Sequence, residues 1–373
     1  MEKSENINIS NTENKDRPKL LYFAESLGGG VFSFLVDISN ELVEHFDIYL
    51  AYAVRRQLPD NYKSHFDNRI HLIMVKNFSR SLNPLRDLSA FFEIKKIAKK
   101  IEPDIIHLHS SKAGALGRWA FNGRKIPMFY TPHGYSFLMA DQSGLKRSIY
   151  KFIESFCSKR CCTTISCSEG ENKETLKLSK RAVYVNNGIN IGSLQQLIDS
   201  IPAIGQHPFT VFTLGRVCYQ KNPELFNEIA KNMPDVKFVW IGDGEMKEKL
   251  TSPNIEITGW LDRKDALTKA LSADVFLLTS LWEGLPLSLL EAMYMKKTCV
   301  VSDVIGNHDA IHNGVNGFVC NELSEYISAI NSARAGGTDE LIHHAYEDVL
   351  GEYNTTVMAQ RYKEIYLQSL NKI

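Results

Sequence analysis

Long apolar runs are missing from this 373-residue chain. None reaches the roughly 18 residues that a membrane-crossing helix requires, so no transmembrane segment is expected. The N-terminus, MEKSENINISNTENKDRP, lacks the apolar core of a signal peptide and the character of a transit peptide. Its Asn, Glu and Ser content predicts a disordered polar tail over residues 1–17 and a protein that stays in the cytoplasm. Cysteine is scarce: seven residues, an odd count in a long chain, do not form a disulfide framework. Cys157, Cys161, Cys162 and Cys167 cluster, but without paired C-x2-C spacing or an intervening histidine they read as buried small residues rather than a zinc site. An excess of charge is missing too, with 43 Lys and Arg against 43 Asp and Glu. The distribution is nevertheless lopsided. Residues 1–195 hold 28 Lys and Arg and 20 Asp and Glu, a balance of +8, and residues 196–373 hold 15 and 23, a balance of −8. One half can therefore face an anionic surface. The basic residues are dispersed and accompany no nucleic-acid-binding module, so no nucleic acid partner is expected.

What is present is an ordinary globular composition, 44% hydrophobic and 23% charged, in a length that suits two domains. Strand-like runs alternate with helical stretches: KLLYFA (19–24), DIYLAYAV (47–54), IHLIMV (70–75), DIIHLHS (104–110), MFYTPHG (128–134), TTISCS and AVYVNNG (182–188). The pattern restarts with FTVFTLGR (209–216), KFVWIGDG (237–244), IEITGW (255–260), DVFLLTS (274–280), TCVVSDV (298–304) and GFVCN (317–321). Such alternation predicts parallel sheets covered on both faces. The fold class is α/β, with two Rossmann-like doubly wound domains facing each other across a cleft. The boundaries are a tail at 1–17, a first domain at 18–195, a linker at 196–207, a second domain at 208–354, and a final helix at 355–373 that packs back on the first domain.

Ligands of such folds bind beyond the carboxyl ends of the strands. Gly28, Gly29 and Gly30, His109 and Ser110, and His133 all fall at expected strand ends and should share one rim. Consecutive glycines let backbone N–H groups approach a ligand closely, and SLGGGVFSF lacks the third glycine of a dinucleotide-binding G-x-G-x-x-G. His107 reads as buried with a partner, and His109 as facing the cleft. In GRVCYQK, Arg216 and Lys221 are placed to converge on a diphosphate, the first as a planar fork and the second as a point charge. IGDG supplies Gly242 at another strand-end turn. In SLWEGLPLSLLEAM, Glu283 lies just before a helix whose first turn holds Pro286, and Glu291 lies on its second turn. The free N–H groups and positive end of that helix favour an anion. A diphosphate with hydroxylated rings at both ends, the shape of a sugar nucleotide, fits this layout. An ordinary strand–loop–helix with a dipole-favoured glutamate also satisfies this stretch alone.

Together GGG at 28–30, HLHSSKAGALGR at 107–118, TPHG at 131–134, GRxxxxK at 215–221, IGDGE at 241–245, Glu283-x(7)-Glu291 and GNHDAIHNGVNGFV at 306–319 carry a resemblance to known enzymes. Over roughly residues 19–370 the chain resembles the retaining glycosyltransferases of family 4, with the GT-B fold, and most closely their bacterial surface-polysaccharide branch. Asp309 departs from the Glu often found before the NG turn. The resemblance implies that Arg216 and Lys221 neutralise the donor diphosphate and Glu291 binds the ribose hydroxyls. Glu283 would contact the donor-sugar hydroxyls with backbone N–H groups near Leu285 and Leu287. His133 would lie near the reacting centre, Gly28–Gly30 would admit the diphosphate and acceptor, and backbone around Thr258 to Leu261, including Trp260, would read the base. His109, Ser110 and Lys112 would face the acceptor. No cofactor or metal is expected, in keeping with the absence of an Asp-x-Asp motif. The partners implied are a nucleotide-sugar donor, with UDP the preferred nucleotide, and a lipid-linked oligosaccharide acceptor in capsule, O-antigen or exopolysaccharide synthesis.

Two helices bear on where the acceptor is met. Helix 85–101 carries Lys95, Lys96, Lys99 and Lys100. Helix 143–160 carries Lys146, Arg147, Lys151, Lys159 and Arg160 beside an apolar stripe of Leu145, Ile149, Phe152 and Phe156. They read either as solvated amphipathic helices or as a dock on the anionic inner face of the cell membrane. Competing functions are a non-transferring GT-B enzyme such as a UDP-sugar 2-epimerase, and a catalytically silent nucleotide-sugar-binding protein.

Overall fold

The chain alternates short, fully buried strands with helices of about three turns, and the order of the strands follows from that alternation. The computed structural model describes residues 17–54, 61–78, 83–138 and 144–371. The polar tail expected over 1–17 lies, but for Arg17, outside them.

In the first half, β1 (Lys19–Leu27), β2 (Asp47–Val54), β3 (His71–Met74), β4 (Ile105–His109), β5 (Met128–Thr131), β6 (Thr163–Ser166) and β7 (Ala182–Tyr184) form one parallel sheet in the order β3-β2-β1-β4-β5-β6-β7. The second half, with β8 (Thr210–Leu214), β9 (Lys237–Ile241), β10 (Ile255–Ile257), β11 (Val275–Leu278), β12 (Thr298–Ser302) and β13 (Phe318–Cys320), repeats the plan as β10-β9-β8-β11-β12-β13. This is the expected pair of doubly wound units. Each sheet is covered on both faces. Leu20, Tyr22 and Ala24 of β1 enter one core and Leu21 and Phe23 the other, the period of two that a strand imposes. Strand order reverses between β1 and β4 and again between β8 and β11, and in such sheets ligands sit in the crevice at that reversal. The loops leaving these strands carry Gly28–Gly30, Ser110, Arg216 and Glu283.

The chain passes between the units twice, side by side. Ile189 pairs with Asn354 in an isolated parallel bridge, and the Ile189 amide donates to the Tyr353 carbonyl at 3.0 Å. Gly188 lets the crossings touch, since a Cβ there would lie 2.3 Å from the Asn354 carbonyl carbon. The linker expected over 196–207 is not where the chain crosses: residues 191–199 form a helix, Ile191–Asp199, whose Leu194, Leu197 and Ile198 already pack on the second unit, and the irregular stretch from Ser200 to Phe209 joins that helix to β8. The apolar spacing of that helix was masked by the polar residues around it. The final helix, Thr355–Leu370, starts at Asn354, whose side chain accepts from the Val357 amide at 3.0 Å. It places Met358, Ala359, Tyr362 and Tyr366 in the core of the first unit, against the helix Gly29–Leu42.

Two helices of the first unit turn apolar residues outward. Pro84–Ile101 buries Ala90, Ile94, Ala98 and Ile101 but exposes Leu85, Leu88 and Phe92. Gly144–Cys157 leaves Leu145 74% and Phe152 69% exposed, with Ile149 and Phe156 beside them, and buries Glu154 instead. Glu154 accepts from Arg118 Nη2 at 2.6 Å and from the Tyr130 hydroxyl at 2.9 Å, which anchors this helix to the domain by its charged side. Among the described residues no helix is long and apolar enough to cross a membrane.

Candidate functional site

A cleft of about 410 Å³ opens between the two carboxyl-end rims. The first unit lines it with Gly28–Gly30, Val31, His133, Cys167 and Asn187, and the second with Arg216, Trp260 and the stretch Glu283–Leu287. Nine of the residues expected at the site are therefore brought together: Gly28, Gly29, Gly30, His133, Arg216, Trp260, Glu283, Leu285 and Leu287.

His133 follows β5 with φ +54°, a left-handed conformation that a non-glycine residue adopts only when its surroundings impose it. Glu171 braces the turn. This buried carboxylate accepts from the Gly134 amide at 2.7 Å and from the Cys167 amide at 2.8 Å, bridging the loops after β5 and β6. Burial raises the Glu171 pKa, and the two amides act against that rise. Burial pushes His133 down to about 3, so its ring is neutral at physiological pH. Its Nε2 lies 3.0 Å from Nδ1 of His109.

In the second unit the loops after β8 and β11 are tied together. The Leu281 amide donates to the Gln220 carbonyl at 2.8 Å, and the Thr279 hydroxyl to the Lys221 carbonyl at 2.8 Å. Between them Lys221 Nζ pairs with Glu283 Oε1 at 2.8 Å. Ser280 Oγ donates to the same oxygen at 2.7 Å, and Gln220 Nε2 reaches Oε2 at 3.3 Å. Arg216 is different. It is half-buried, lines the cleft, and makes no hydrogen bond or ion pair to any described residue. The helix after Glu283 runs Leu287–Tyr294, so Pro286 is its N-cap rather than a member of its first turn. The helix still starts at the cleft, with Leu287 on the lining.

The remaining expected residues do not line the cleft. Lys221 is withheld by Glu283. Glu291 is gripped by Arg263, with Nη1 at 3.0 Å from Oε2 and Nη2 on Oε1, and this pair lies near Asp37 of the first unit. Asp37 is pushed up to about 7 by burial, then by Glu291 and Glu41, against the pull of Arg263. Gly242 serves close packing: a Cβ there would sit 2.1 Å from the Gly215 carbonyl oxygen. Leu261 turns to the core of the second unit and to a separate hollow with His207 and Pro208. His109 does not face the cleft. It is wholly buried beneath His133, because residues two apart on a strand share a face and β4 puts it beside His107, ring centroids 4.1 Å apart. Ser110, with φ +73°, caps nothing with its side chain, and Lys112 pairs with Asp87 at 2.6 Å.

Two residues of the site, Glu171 and Asn187, escaped the sequence, and the role of a third, Asp309, did too. Glu171 gave only the signal of an acid in the first turn of a helix capped by Ser168. Asn187, in the NNG turn, spans the units by donating to the Leu285 carbonyl at 3.0 Å, and its Oδ1 is buried without a partner at the cleft. Asp309 crosses as well, its carboxylate accepting from the Gly170 amide at 3.0 and 3.1 Å.

Comparison with known proteins agrees with this geometry. Residues 28–192 match the family described as Glycosyltransferase Family 4, and residues 208–334 that described as Glycosyl transferases group 1. The chain is 30% identical, over 87% of its length and 89% of the relative's, to UDP-Gal:alpha-D-GlcNAc-diphosphoundecaprenol alpha-1,3-galactosyltransferase of Escherichia coli. It is 27% identical to N,N'-diacetylbacillosaminyl-diphospho-undecaprenol alpha-1,3-N-acetylgalactosaminyltransferase of Campylobacter jejuni, over 92% of this chain and 97% of that one. Its fold matches that of Anabaena HepE, solved with UDP and glucose, with a TM-score of 0.74 at 17% identity, covering 94% of this chain and 99% of that one.

Proposed function

Because the chain belongs to the family 4 glycosyltransferases, we propose that it moves a sugar from a nucleotide-sugar, UDP-linked by preference, to a lipid-linked saccharide in surface-polysaccharide synthesis, with retention of anomeric configuration. The observation that carries this reading is Arg216, a half-buried guanidinium with no anionic partner among the described residues, in a cleft whose opposite wall is Gly28–Gly30. A cation is kept unpaired at such a place when an anion arrives with the ligand. The names of the Escherichia coli and Campylobacter relatives each carry a diphospho-undecaprenol acceptor, and the first also carries UDP-Gal.

Arg216 receives the diphosphate, and the start of the helix Leu287–Tyr294 adds its free N–H groups and positive dipole end. As negative charge builds on the leaving phosphate, a second cation is worth most in the water-poor cleft. Lys221, on the same loop as Arg216, takes that role by leaving Glu283, and its departure frees Glu283 for the hydroxyls of the sugar. Glu291 takes the ribose hydroxyls once Arg263 yields. The leaving phosphate oxygen itself accepts the acceptor's proton on the face of departure, which preserves the configuration and needs no separate base. The charge of the diphosphate is met by protein cations, without metal. The interface at Asn187 and Asp309 closes the units on the donor and limits hydrolysis.

The test is a calorimetric screen of UDP, GDP and their sugar conjugates without added metal. UDP compounds should bind saturably, and Arg216→Ala should weaken them about a hundredfold, the loss of a charge-assisted contact. Glu291→Ala should weaken binding about tenfold, and Glu283→Ala should chiefly reduce transfer. Failure of every nucleotide to bind would end this reading.

A lipid-linked acceptor would bring the reaction to a membrane surface. The outward stripe of Leu145, Ile149, Phe152 and Phe156, and the exposed Leu85, Leu88 and Phe92 of the other basic helix of the first unit, suit the headgroup region of an anionic leaflet. Flotation with vesicles containing phosphatidylglycerol should recover the protein, and Phe152→Glu with Leu145→Glu should release it. Equal flotation of the variant would reject this surface.

A further inference from the structure

We propose that His109 is a positioning residue: it donates its Nδ1 proton to Nε2 of His133 and so fixes His133 as the tautomer protonated at Nδ1, an N–H donor at the cleft and not a base. The argument begins one residue deeper. The Thr131 hydroxyl donates its only proton to the Ile165 carbonyl at 2.8 Å, so toward His107 Nε2, 2.9 Å away, it can only accept. His107 therefore carries its proton on Nε2, and its bare Nδ1 accepts from the Tyr366 hydroxyl at 2.6 Å. Its neighbour His109 has no such freedom to share. The buried His109 ring and the half-buried His133 ring are both neutral, so one proton lies between His109 Nδ1 and His133 Nε2.

Which ring owns that proton is decided at the far side of His109. Its Nε2 is buried with no partner. Were His133 the donor, His109 would have to carry its proton on Nε2 as a sealed, unpaired N–H. With His109 as the donor, Nε2 is only an unpaired lone pair. Buried N–H groups without an acceptor are the rarer and costlier of the two defects. The proton thus belongs to His109, and His133 must hold its own on Nδ1. That nitrogen has no protein partner among the described residues, yet it is not one of the sealed atoms, so it opens on the cleft that His133 lines. Phe34 meets the His133 ring edge-on at 4.8 Å and the His109 ring lies 5.3 Å away at 24° to it, which sets the plane of the ring, and the contact with His109 Nδ1 sets which edge Nε2 occupies. An N–H donor here suits an oxygen of the donor sugar or of the leaving phosphate, and is unsuited to taking a proton from an acceptor hydroxyl.

The kinetic half of the test rests on the transferase reading and the spectroscopic half does not. In the full-length protein with 15N-labelled histidine rings, His133, assigned by its loss in His133→Gln, should show a protonated Nδ1 and a bare Nε2. His109→Phe keeps the stacked ring but removes the donor. It should convert His133 to the other tautomer or a mixture, and lower kcat about tenfold with the donor KM within about twofold. His109→Asn places its amide N–H where Nδ1–H was and should restore both the His133 spectrum and kcat to within about threefold. A wild-type His133 protonated at Nε2, or a His133 spectrum unmoved by His109→Phe, would overturn the proposal. If His109→Phe does not fold, the wild-type and His109→Asn spectra still decide. If no donor is ever turned over, the transferase reading fails while the tautomer stands or falls on the spectra alone.

Discussion

Lys221→Met is expected to lose about 3 kcal/mol of stability and all measurable sugar transfer. Glu283 is only 8% exposed, and Lys221 is its sole charged partner among the described residues. With the lysine gone, Ser280 and Gln220 still hydrogen-bond the carboxylate but no longer neutralise it. Stripping one partner from a buried pair typically costs about 3–5 kcal/mol, because the other charge stays desolvated and alone. Removing both charges should cost far less than removing one. Lys221→Met with Glu283→Leu is therefore predicted to regain most of the lost stability in urea denaturation while remaining inactive. Stability and activity then part company: the pair holds the loops together without ligand, and its members separate to serve the donor. A Lys221→Met protein as stable as the wild type would show that Glu283 is not a paired buried charge, and the partner exchange would fall with it. A double variant less stable than either single one would do the same.

That pair marks the border of what the sequence can disclose. Arg216 and Glu283 lie within a few residues past β8 and β11, in the loops at the carboxyl ends of the strands that build the rim. Their place in the cleft was legible for this local reason. So were the two sheets, because buried strands and capped helices announce themselves over windows of five to fifteen residues. What lay hidden depends on contacts between distant parts of the chain. His109 looked like a rim residue, but the face of β4 that it shares with His107 is covered by Tyr366, 259 positions from His107. Glu171 reaches back 37 residues to the turn of His133, and Asp309 reaches 139 to Gly170. The resemblance assigns Glu291 to the ribose hydroxyls, and nothing in DRKD marks Arg263 as its partner 28 residues away. Spacing finds which loops meet. It does not find which charges, once there, are already spoken for.

The second large effect is expected at a residue that touches no substrate. Gly306 has φ +84°, and a Cβ on it would lie 2.1 Å from the Gly284 carbonyl oxygen, 2.5 Å from its carbon and 3.1 Å from the Leu285 amide. The obstacle is backbone, so no side-chain rotation relieves it. Nor can Gly284 retreat, for its own Cβ position is 2.8 Å from Cys167 Sγ and 3.4 Å from the Gly134 amide, where the first unit begins. Gly306 is held from the other side by Asp309, which accepts its amide at 3.1 Å. Gly306→Ala must therefore displace Gly284 and Leu285, and with them Glu283 and the cleft wall. We expect a loss of about 3 kcal/mol or more, the sum of left-handed strain and a backbone clash. Transfer should fall about a hundredfold, as an ångström of misplacement at a reacting centre does. Gly314→Ala separates the two causes. Gly314 has φ +74° but nothing within 4 Å of its Cβ position, so its alanine variant should cost about 1 kcal/mol and leave transfer unchanged. Equal losses in the two variants, in denaturant and in turnover, would mean that left-handed strain alone was measured. The contact between the Gly306 turn and the Glu283 loop would then have no part in holding the site.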